Sequence, residues 1–176
     1  TGHDALVKLM VGRDVGQVFP KGKSRIGEAV LSVRNISHPT EFDAVTFDLK
    51  AGEILGFYGL VGAGRSEVMQ CLFGMTKPSS GTVELEGKPV TIASPAEAVA
   101  HGIVYVPEER GRQGAVKGLP IFMNVTLPSL KETSRSGFLK LASEFALARK
   151  YTERLDLRAS SLSQDVATLS GGNQQK

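Results

Sequence analysis

The sequence predicts an α/β fold organised around a glycine-rich loop, and three adjacent stretches support this prediction. The nearly continuous apolar run of residues 54–58 is typical of a buried parallel strand. Residues 59–66 follow it with the glycine spacing of a phosphate-binding loop. Residues 65–73 then carry apolar side chains at helical spacing, and Gly74 is a typical C-terminal stop. A strand, a glycine-rich loop and a helix in this order predict a phosphate site at the amino end of the helix.

The composition is that of a globular domain. The chain has 176 residues, of which 41% are hydrophobic and 22% charged, so we expect one domain with a substantial core. The single cysteine, Cys71, excludes a disulfide framework and favours a reducing compartment such as the cytosol. No apolar run approaches the roughly 20 residues of a membrane-spanning helix. Any link to a membrane is therefore expected to go through a partner.

The charge balance argues against a nucleic-acid partner. The formal net charge is only +3. The densest basic cluster, formed by Lys21, Lys23 and Arg25, has no interleaved aromatic residues on which bases could stack. We interpret this cluster as part of a solvated linker.

Alternation of apolar and polar residues predicts an antiparallel β-subdomain. Its strands are expected at residues 30–36, 45–49, 82–86 and 89–92, the last two joined by a turn at Gly87-Lys88. A second buried strand is predicted at residues 103–106, and a loop over residues 107–118.

Two further helices are predicted. Ser94 is a suitable N-cap for a short helix over residues 95–101, which has Pro95 at its first position and Gly102 after its end. After Pro120 the pattern is helical, and side chains at spacings of three and four predict one amphipathic helix. The side chains on its apolar face are Phe138, Leu141, Phe145, Ala148, Thr152 and Leu155.

The glycine-rich loop predicts a site for the phosphates of a nucleotide. Glycines permit the tight curvature of such a loop and the close approach of backbone N–H groups to an anion. The Ser66 hydroxyl stands where Mg²⁺ would be coordinated beside the phosphates. The predicted nucleotide-binding residues are Gly59, Gly62, Ala63, Gly64, Arg65, Ser66 and Glu67.

Arg65 departs from the usual loop pattern, which has lysine at this place. Arginine keeps the positive charge, but it is longer, planar and forked, whereas lysine is a compact point charge. Glu67 adds negative charge near the phosphates. We therefore expect nucleotide to bind here weakly and to be hydrolysed poorly.

The second motif is residues 169–176, with the sequence LSGGNQQK. Ser170 can cap a helix that begins at Gly171, and that helix end would offer a hydroxyl group and glycine N–H groups to a phosphate. Taken alone, Ser-Gly-Gly also fits a flexible loop. Its place downstream of a phosphate loop, with a helical segment between, favours the phosphate interpretation.

Three segments in order carry a family resemblance: 59–67 (GLVGAGRSE), 105–110 (YVPEER) and 169–176 (LSGGNQQK). Together they resemble the nucleotide-binding domains of ATP-binding cassette (ABC) transporters. More narrowly, they are similar to the second of two fused cassettes in bacterial importer ATPases for ribose, xylose, galactose and related monosaccharides. The resemblance covers nearly the whole chain.

The resemblance implies a P-loop NTPase cassette of α/β class with an antiparallel β-subdomain and a helical subdomain. Residues 1–27 would be the connector from a preceding cassette, and residues 28–176 a partial nucleotide-binding domain. Within the latter, the core and β-subdomain would extend to about residue 119, the helical subdomain would cover about 120–168, and the signature would be 169–176.

The resemblance also implies roles for particular residues. Glu108 stands about where other cassettes have the Q-loop glutamine, which helps to hold Mg²⁺ and the attacking water, so a carboxylate there is a second reason to expect poor turnover. His38 and Phe42 are the nearby candidates for an aromatic group that stacks on adenine. The signature residues that would complete the site of a partner cassette are Leu169, Ser170, Gly171, Gly172, Asn173 and Gln174.

In the family, Walker B, the catalytic glutamate and the switch histidine follow the signature, so we expect no complete catalytic set within this chain. ATP and Mg²⁺ are the implied cofactors. The implied partners are a preceding cassette of the same polypeptide or a second copy, transmembrane permease subunits and, indirectly, a periplasmic sugar-binding protein. The implied location is peripheral, on the cytoplasmic face of the bacterial cell membrane.

Two alternatives remain open. One is a non-hydrolytic regulatory or interaction module. The other is a soluble ABC protein in DNA repair or translation, against which the low net charge and the few aromatic residues argue. The sequence does not indicate which sugar would be transported, because the binding protein and permease select it.

Overall fold

The computed structural model describes residues 24–176, which form two compact units. The first unit extends to Val104, and the second is Tyr105–Lys176. The expected connector, residues 1–27, lies almost wholly outside the described residues.

The first unit contains a four-stranded antiparallel sheet with the strand order β2-β1-β3-β4. Its strands are β1 (Ala29–Ser37), β2 (Val45–Lys50), β3 (Ser80–Leu85) and β4 (Lys88–Val90). The predicted antiparallel β-subdomain is therefore confirmed. Its last turn is centred on Glu86 and Gly87, one residue earlier than predicted, and both have positive φ, 49° and 74°. Two adjacent positive φ values are the geometry of a tight hairpin whose twist matches its strands.

One face of this sheet packs on helix α1 (Arg65–Leu72). Val33 and Ile36 on β1 are fully buried and contact Val68 and Leu72 of the helix. The predicted helix is thus confirmed. Its C-cap is Phe73, after which Gly74 has φ +78°.

Helix α2 (Pro95–Ala100) confirms the capping pattern predicted for it. The Ser94 hydroxyl oxygen accepts a hydrogen bond from the Glu97 backbone N–H at 3.3 Å. The cap satisfies one of the N–H groups that the first helical turn leaves without a partner. Gly102 follows the helix with φ +81°, as expected for a C-terminal stop.

The two predicted buried strands are wrong for the described part of the chain. Residues 54–58 and 103–106 form no strand, and Ile54, Tyr58 and Val106 are 98%, 100% and 83% exposed. A strand is defined by hydrogen bonds to a neighbour, and no strand among residues 24–176 pairs with either segment. Their apolar composition indicated burial but did not supply the partner that burial requires.

The second unit is mainly helical. Between residues 121 and 154 its α-helices and strands are α3 (Ile121–Thr126), α4 (Leu130–Thr133), the hairpin β5 (Ser134–Arg135) and β6 (Phe138–Leu139), and α5 (Leu141–Arg154). The predicted amphipathic helix therefore begins at Leu141, and placing Phe138 in it was wrong. The reason is a turn at Ser136 and Gly137, whose φ values of 53° and 82° do not belong to a helix.

Helices α3 and α5 pack through an aromatic stack and a buried polar contact. The rings of Phe122 and Phe145 are 4.2 Å apart between centroids. Beside them, Thr126 and Glu144 are both buried, and the Thr126 hydroxyl lies 2.9 Å from a Glu144 carboxyl oxygen. This pair gives the buried carboxyl group the hydrogen-bond partner that its burial requires.

The signature segment lies against the same unit. A short 3₁₀ turn, Val166–Thr168, precedes helix α6 (Gly171–Gln175). Val166 and Leu169 are buried with Ile121 of α3, so the start of the signature is anchored in a hydrophobic cluster. None of the helices within residues 24–176 is long and apolar enough to cross a membrane.

Candidate functional site

The glycine-rich loop leads directly into α1, and Gly64 is the N-cap of that helix. Gly62 and Gly64 have φ values of +82° and +79°, a region that side-chain-bearing residues rarely adopt. A Cβ atom at residue 64 would also stand only 2.8 Å from the Glu41 carbonyl oxygen and 3.3 Å from Phe42 Cβ. Glycine at 64 is therefore required by both backbone conformation and space.

The Arg65 side chain folds back over the loop that precedes it. A guanidinium nitrogen donates a long hydrogen bond of 3.4 Å to the Leu60 carbonyl oxygen. The Arg65 Cδ atom lies 3.6 Å from where a Cβ on Gly59 would be. The positive group thus interacts with the loop's own backbone.

The loop residues fit the phosphates of a nucleotide. Within the loop the backbone at Gly62 is open, with nothing within 4 Å of its Cβ position. Ser66, in the first turn of α1, is exposed, so its hydroxyl is available to a metal ion. Gly59, Gly62, Ala63, Gly64 and Ser66 could accordingly hold a phosphate group with Mg²⁺.

The two candidates for adenine stacking form a pair with each other. His38 and Phe42 have ring centroids 5.8 Å apart with a 35° tilt. The imidazole Nδ1 lies 3.4 Å from a Glu41 carboxyl oxygen without forming a hydrogen bond. The Glu41 carbonyl oxygen and Phe42 Cβ lie next to Gly64, so the segment that carries this pair packs against the glycine-rich loop. Its role toward adenine stays a prediction.

Glu108 lies in the second unit, just before a π-helical turn over Arg110–Gly114. Its side chain is exposed, and its backbone carbonyl accepts a hydrogen bond from the Arg110 N–H at 3.1 Å. The neighbouring Glu109 carboxylate pairs with Arg112 at 3.5 Å. Glu108 itself is therefore left with its carboxylate directed to solvent.

Ser170 is the N-cap of α6, as predicted, but its hydroxyl makes no capping hydrogen bond to the helix backbone. Instead the Asn173 side-chain amide donates to the Ser170 oxygen at 3.2 Å. The expected capping bond is therefore wrong: the donor to the Ser170 hydroxyl oxygen is the Asn173 side chain, in the first turn of α6, and not a backbone N–H. The exposed serine is held by this bond.

Asn173 and Gln174 brace the signature from within. The Asn173 side-chain oxygen accepts from the Arg158 backbone N–H at 3.1 Å. The Gln174 amide donates to the carbonyl oxygens of Val166 and Leu169 at 3.2 and 3.1 Å. Leu169 is 8% exposed. These three side chains fix the backbone on which Ser170, Gly171 and Gly172 are presented.

One contact was not predicted from the sequence. The Arg110 guanidinium lies against Gly171, with one of its nitrogens 2.7 Å from where a Cβ on that glycine would stand. Arg110 belongs to the YVPEER segment, but nothing in the sequence signals that it lies beside the signature. The contact joins two parts of the second unit that are distant in the chain.

A positive-φ glycine loop at the start of a helix, beside an antiparallel sheet and followed by a helical unit that carries the signature, defines a P-loop nucleotide-binding cassette. Comparison with known families agrees with this class. The sequence profile described as "ABC transporter" matches residues 42–176. The chain belongs to the ABC transporter family.

Curated relatives share up to about two thirds of the residues. The ribose import ATP-binding protein RbsA 1 of Rhizobium meliloti (strain 1021) is 68% identical over 174 residues, covering 99% of this chain and 35% of the relative. The ribose import ATP-binding protein RbsA of Jannaschia sp. (strain CCS1) is 68% identical over 171 residues, covering 97% and 33%. A putative ribose/galactose/methyl galactoside import ATP-binding protein 3 of Agrobacterium fabrum is 44% identical over 171 residues, covering 97% and 34%. The chain thus spans about a third of the length of these relatives.

Solved ABC cassettes share the fold. The dimeric post-hydrolysis structure of the cassette MJ0796 bound to ADP and Pi has a TM-score of 0.62 at 19% identity, covering 82% of this chain and 65% of that one. The ABC transporter cassette MJ1267 has a TM-score of 0.59 at 25% identity, covering 84% and 61%.

Proposed function

We propose that this chain is the second nucleotide-binding cassette of a monosaccharide-import ATPase and that its two motifs have unequal roles. Its own glycine-rich loop would bind Mg²⁺-ATP weakly and turn it over poorly. Its signature would complete the nucleotide site of a partner cassette. The relatives named above are import ATP-binding proteins for ribose and related sugars, which supports this assignment.

The observation that carries the proposal is the contrast between Arg65 and Ser170. The Arg65 guanidinium donates a hydrogen bond to the Leu60 carbonyl oxygen of its own loop. A cation that binds phosphate would instead need to face away from the loop backbone. Releasing such a hydrogen bond costs roughly 0.5–1.5 kcal/mol, which lowers the affinity for nucleotide. Glu108, at the position where the family resemblance implies the Q-loop glutamine, is the second reason to expect poor turnover.

The signature, in contrast, is held ready. Its hydrophobic anchor Leu169 is buried, and the amide side chains of Asn173 and Gln174 fix its backbone. Ser170, Gly171 and Gly172 remain exposed. A rigid frame that presents a hydroxyl and glycine N–H groups suits the binding of a phosphate without a reorganisation cost.

Within this proposal the chemistry is ATP hydrolysis, which Mg²⁺ assists by neutralising charge on the phosphates. In this chain Gly62, Gly64 and Ser66 would hold the phosphates and metal ion. The signature would orient the phosphate that a partner cassette binds. The adenine ring would stack on the His38 and Phe42 segment.

The proposed partners and location follow the same assignment. The partner cassette would belong to the same polypeptide or to a second copy, and permease subunits in the membrane would use the energy of hydrolysis. A periplasmic sugar-binding protein would supply the sugar. The chain would lie on the cytoplasmic face of the membrane, held there by the permease.

Substitution of Ser170 in the full-length protein tests the proposal. The variant Ser170→Arg places a bulky cation where phosphate would lie, and we expect ATPase activity and ribose uptake in reconstituted vesicles to fall by on the order of 10². Ser163→Arg is the matched control, because Ser163 is also exposed and lies shortly before the signature in the chain. It should leave both rates within about two-fold.

Unchanged ATPase and transport rates in Ser170→Arg would contradict the proposed role of the signature. A fluorescent ATP analogue provides an independent measurement in the same protein. If neither cassette bound it, the chain would instead be a non-hydrolytic interaction module.

A further inference from the structure

We propose that Arg110 is a phosphate-contacting residue of the site that the signature completes, an inference that rests on the proposed function. The guanidinium lies beside Gly171, one nitrogen being 2.7 Å and its central carbon 3.6 Å from the position that a Cβ atom would take. The absent side chain of Gly171 is what makes room for it. The positive group therefore stands at the surface where the signature would meet a phosphate.

The Arg110 guanidinium has no neutralising partner within residues 24–176. It makes no ion pair and no side-chain hydrogen bond there, whereas its neighbour Arg112 pairs with the Glu109 carboxylate at 3.5 Å. An arginine head carries five N–H donors in a fixed fork that matches two oxygens of a phosphate. Its full hydrogen-bonding capacity is therefore available to an anion.

The depression that Arg110 lines carries a small net positive charge when Arg110 itself is counted. It is shallow, with a volume of about 520 Å³, and its charged residues are Glu108, Glu109, Arg110, Arg112 and Lys117. The Arg112–Glu109 pair is neutral, so Arg110 and Lys117 against Glu108 leave an excess of one positive charge. The Lys117 ammonium approaches Gly111, at 3.6 Å from its Cβ position, and it too lacks an ion pair in the described part of the chain. The second free cation makes the depression more favourable to a polyanion.

Helix α6 has only five residues and provides no helix-terminus site of its own. The proposed contact uses the Arg110 guanidinium, which has no ion-pair partner among residues 24–176 and for which Gly171, lacking a side chain, leaves space. A phosphate oxygen bound there would form charge-assisted hydrogen bonds, which are about twice as strong as neutral ones. Arg110 would then supply the positive charge that Ser170 and the glycine N–H groups lack.

The test is steady-state ATPase kinetics of the full-length protein with Arg110→Gln, Arg110→Lys and Arg112→Gln. Loss of a charge-assisted hydrogen bond to phosphate predicts a tenfold or greater fall in kcat/KM for Arg110→Gln. Arg110→Lys, which keeps the charge but loses the fork, should recover part of that loss. Arg112→Gln, which removes a neighbouring charge already paired with Glu109, should remain within two-fold of the parent protein.

A contact to phosphate also predicts that Arg110→Gln weakens the dependence of KM on ionic strength, because one counter-charge for the nucleotide has been removed. A purely structural role would instead lower the melting temperature and would not change this salt dependence. A fall in rate accompanied by a lower Tm, with no recovery in Arg110→Lys, would overturn the inference.

The Ser170→Arg variant distinguishes a failure of the Arg110 role from a failure of the proposed function. If it abolishes turnover while Arg110→Gln leaves kcat and KM within two-fold, the role of Arg110 is wrong and the proposed function stands. If Ser170→Arg has no effect, the proposed function fails and the inference fails with it.

Discussion

The Arg65 guanidinium donates a hydrogen bond to the Leu60 carbonyl oxygen, at 3.4 Å. The side chain thus folds back onto the backbone of the glycine-rich loop. The same side chain passes over Gly59, which has no Cβ to obstruct it. A long forked side chain can reach back in this way, whereas the compact ammonium group of lysine presents its charge as a single point. This contact gives a structural reason for the weak nucleotide binding expected from Arg65.

Replacing Arg65 with lysine should raise affinity without restoring hydrolysis. The bond to Leu60 is long, so its loss removes a competing interaction of about 0.5 kcal/mol, and we expect nucleotide to bind about two-fold more tightly at this site. We do not expect turnover to rise, because the proposed second cause of poor hydrolysis, a glutamate at position 108 in place of the Q-loop glutamine, is unchanged. Both quantities can be measured in a Ser170→Arg background, where hydrolysis at the partner site is removed.

Ser66→Ala is the control for this experiment, since it should weaken Mg²⁺-dependent binding in the same background. A large gain in ATPase rate from Arg65→Lys alone would show that arginine, and not Glu108, limits this site. No change in affinity would mean that the bond to Leu60 has no energetic weight.

Alanine substitutions at two loop glycines should differ in cost. Gly62 has φ +82° and open space around its Cβ position, so Gly62→Ala should cost only the strain of a positive φ, about 1–2 kcal/mol. Gly64→Ala adds a clash with the Glu41 carbonyl oxygen, 2.8 Å away, and a total of about 3 kcal/mol is expected. The difference should appear as a melting temperature several degrees lower for Gly64→Ala.

Gly62→Ala is thus the matched control for Gly64→Ala. Equal melting temperatures for the two variants would mean that the segment containing Glu41 moves away at no cost. The close packing against the loop would then have little effect on stability.

Local patterns in the sequence predicted the β-subdomain and α1 because those signals are complete within short segments. Alternation of apolar and polar residues over 30–36 predicts which face of the strand is buried, and Ser94 as N-cap predicts where a helix begins. The prediction of two buried strands was wrong for the opposite reason, because its signal is incomplete within a short segment. An apolar run such as residues 54–58 indicates burial, but the backbone becomes a strand only beside another strand.

The candidate site divides in the same way. The loop glycines and the N-cap position of Ser170 were predicted, because each depends on its immediate neighbours in the chain. The hydrogen bond of the Ser170 hydroxyl was not predicted, because the Asn173 side-chain amide takes the place of the expected backbone N–H donor. The contact between Arg110 and Gly171 depends on how the second unit folds, and no pattern within either segment could reveal it. The early start assigned to α5 could have been avoided, because Ser136-Gly137 is a recognisable turn signal.

Cys71 should react slowly with thiol reagents in the folded protein. The residue is 3% exposed on α1 and lines a depression together with Ile36 and Leu72, and burial raises the pKa of its thiol above the ordinary value. Only the thiolate is nucleophilic, so at pH 8 both access and ionisation are reduced in the native state. We expect iodoacetamide labelling of the Cys71 peptide, followed by mass spectrometry, to be at least tenfold slower than in urea. Native labelling as fast as that of the unfolded chain would mean that α1 separates readily from the sheet, and the loop it supports would then lack a fixed frame.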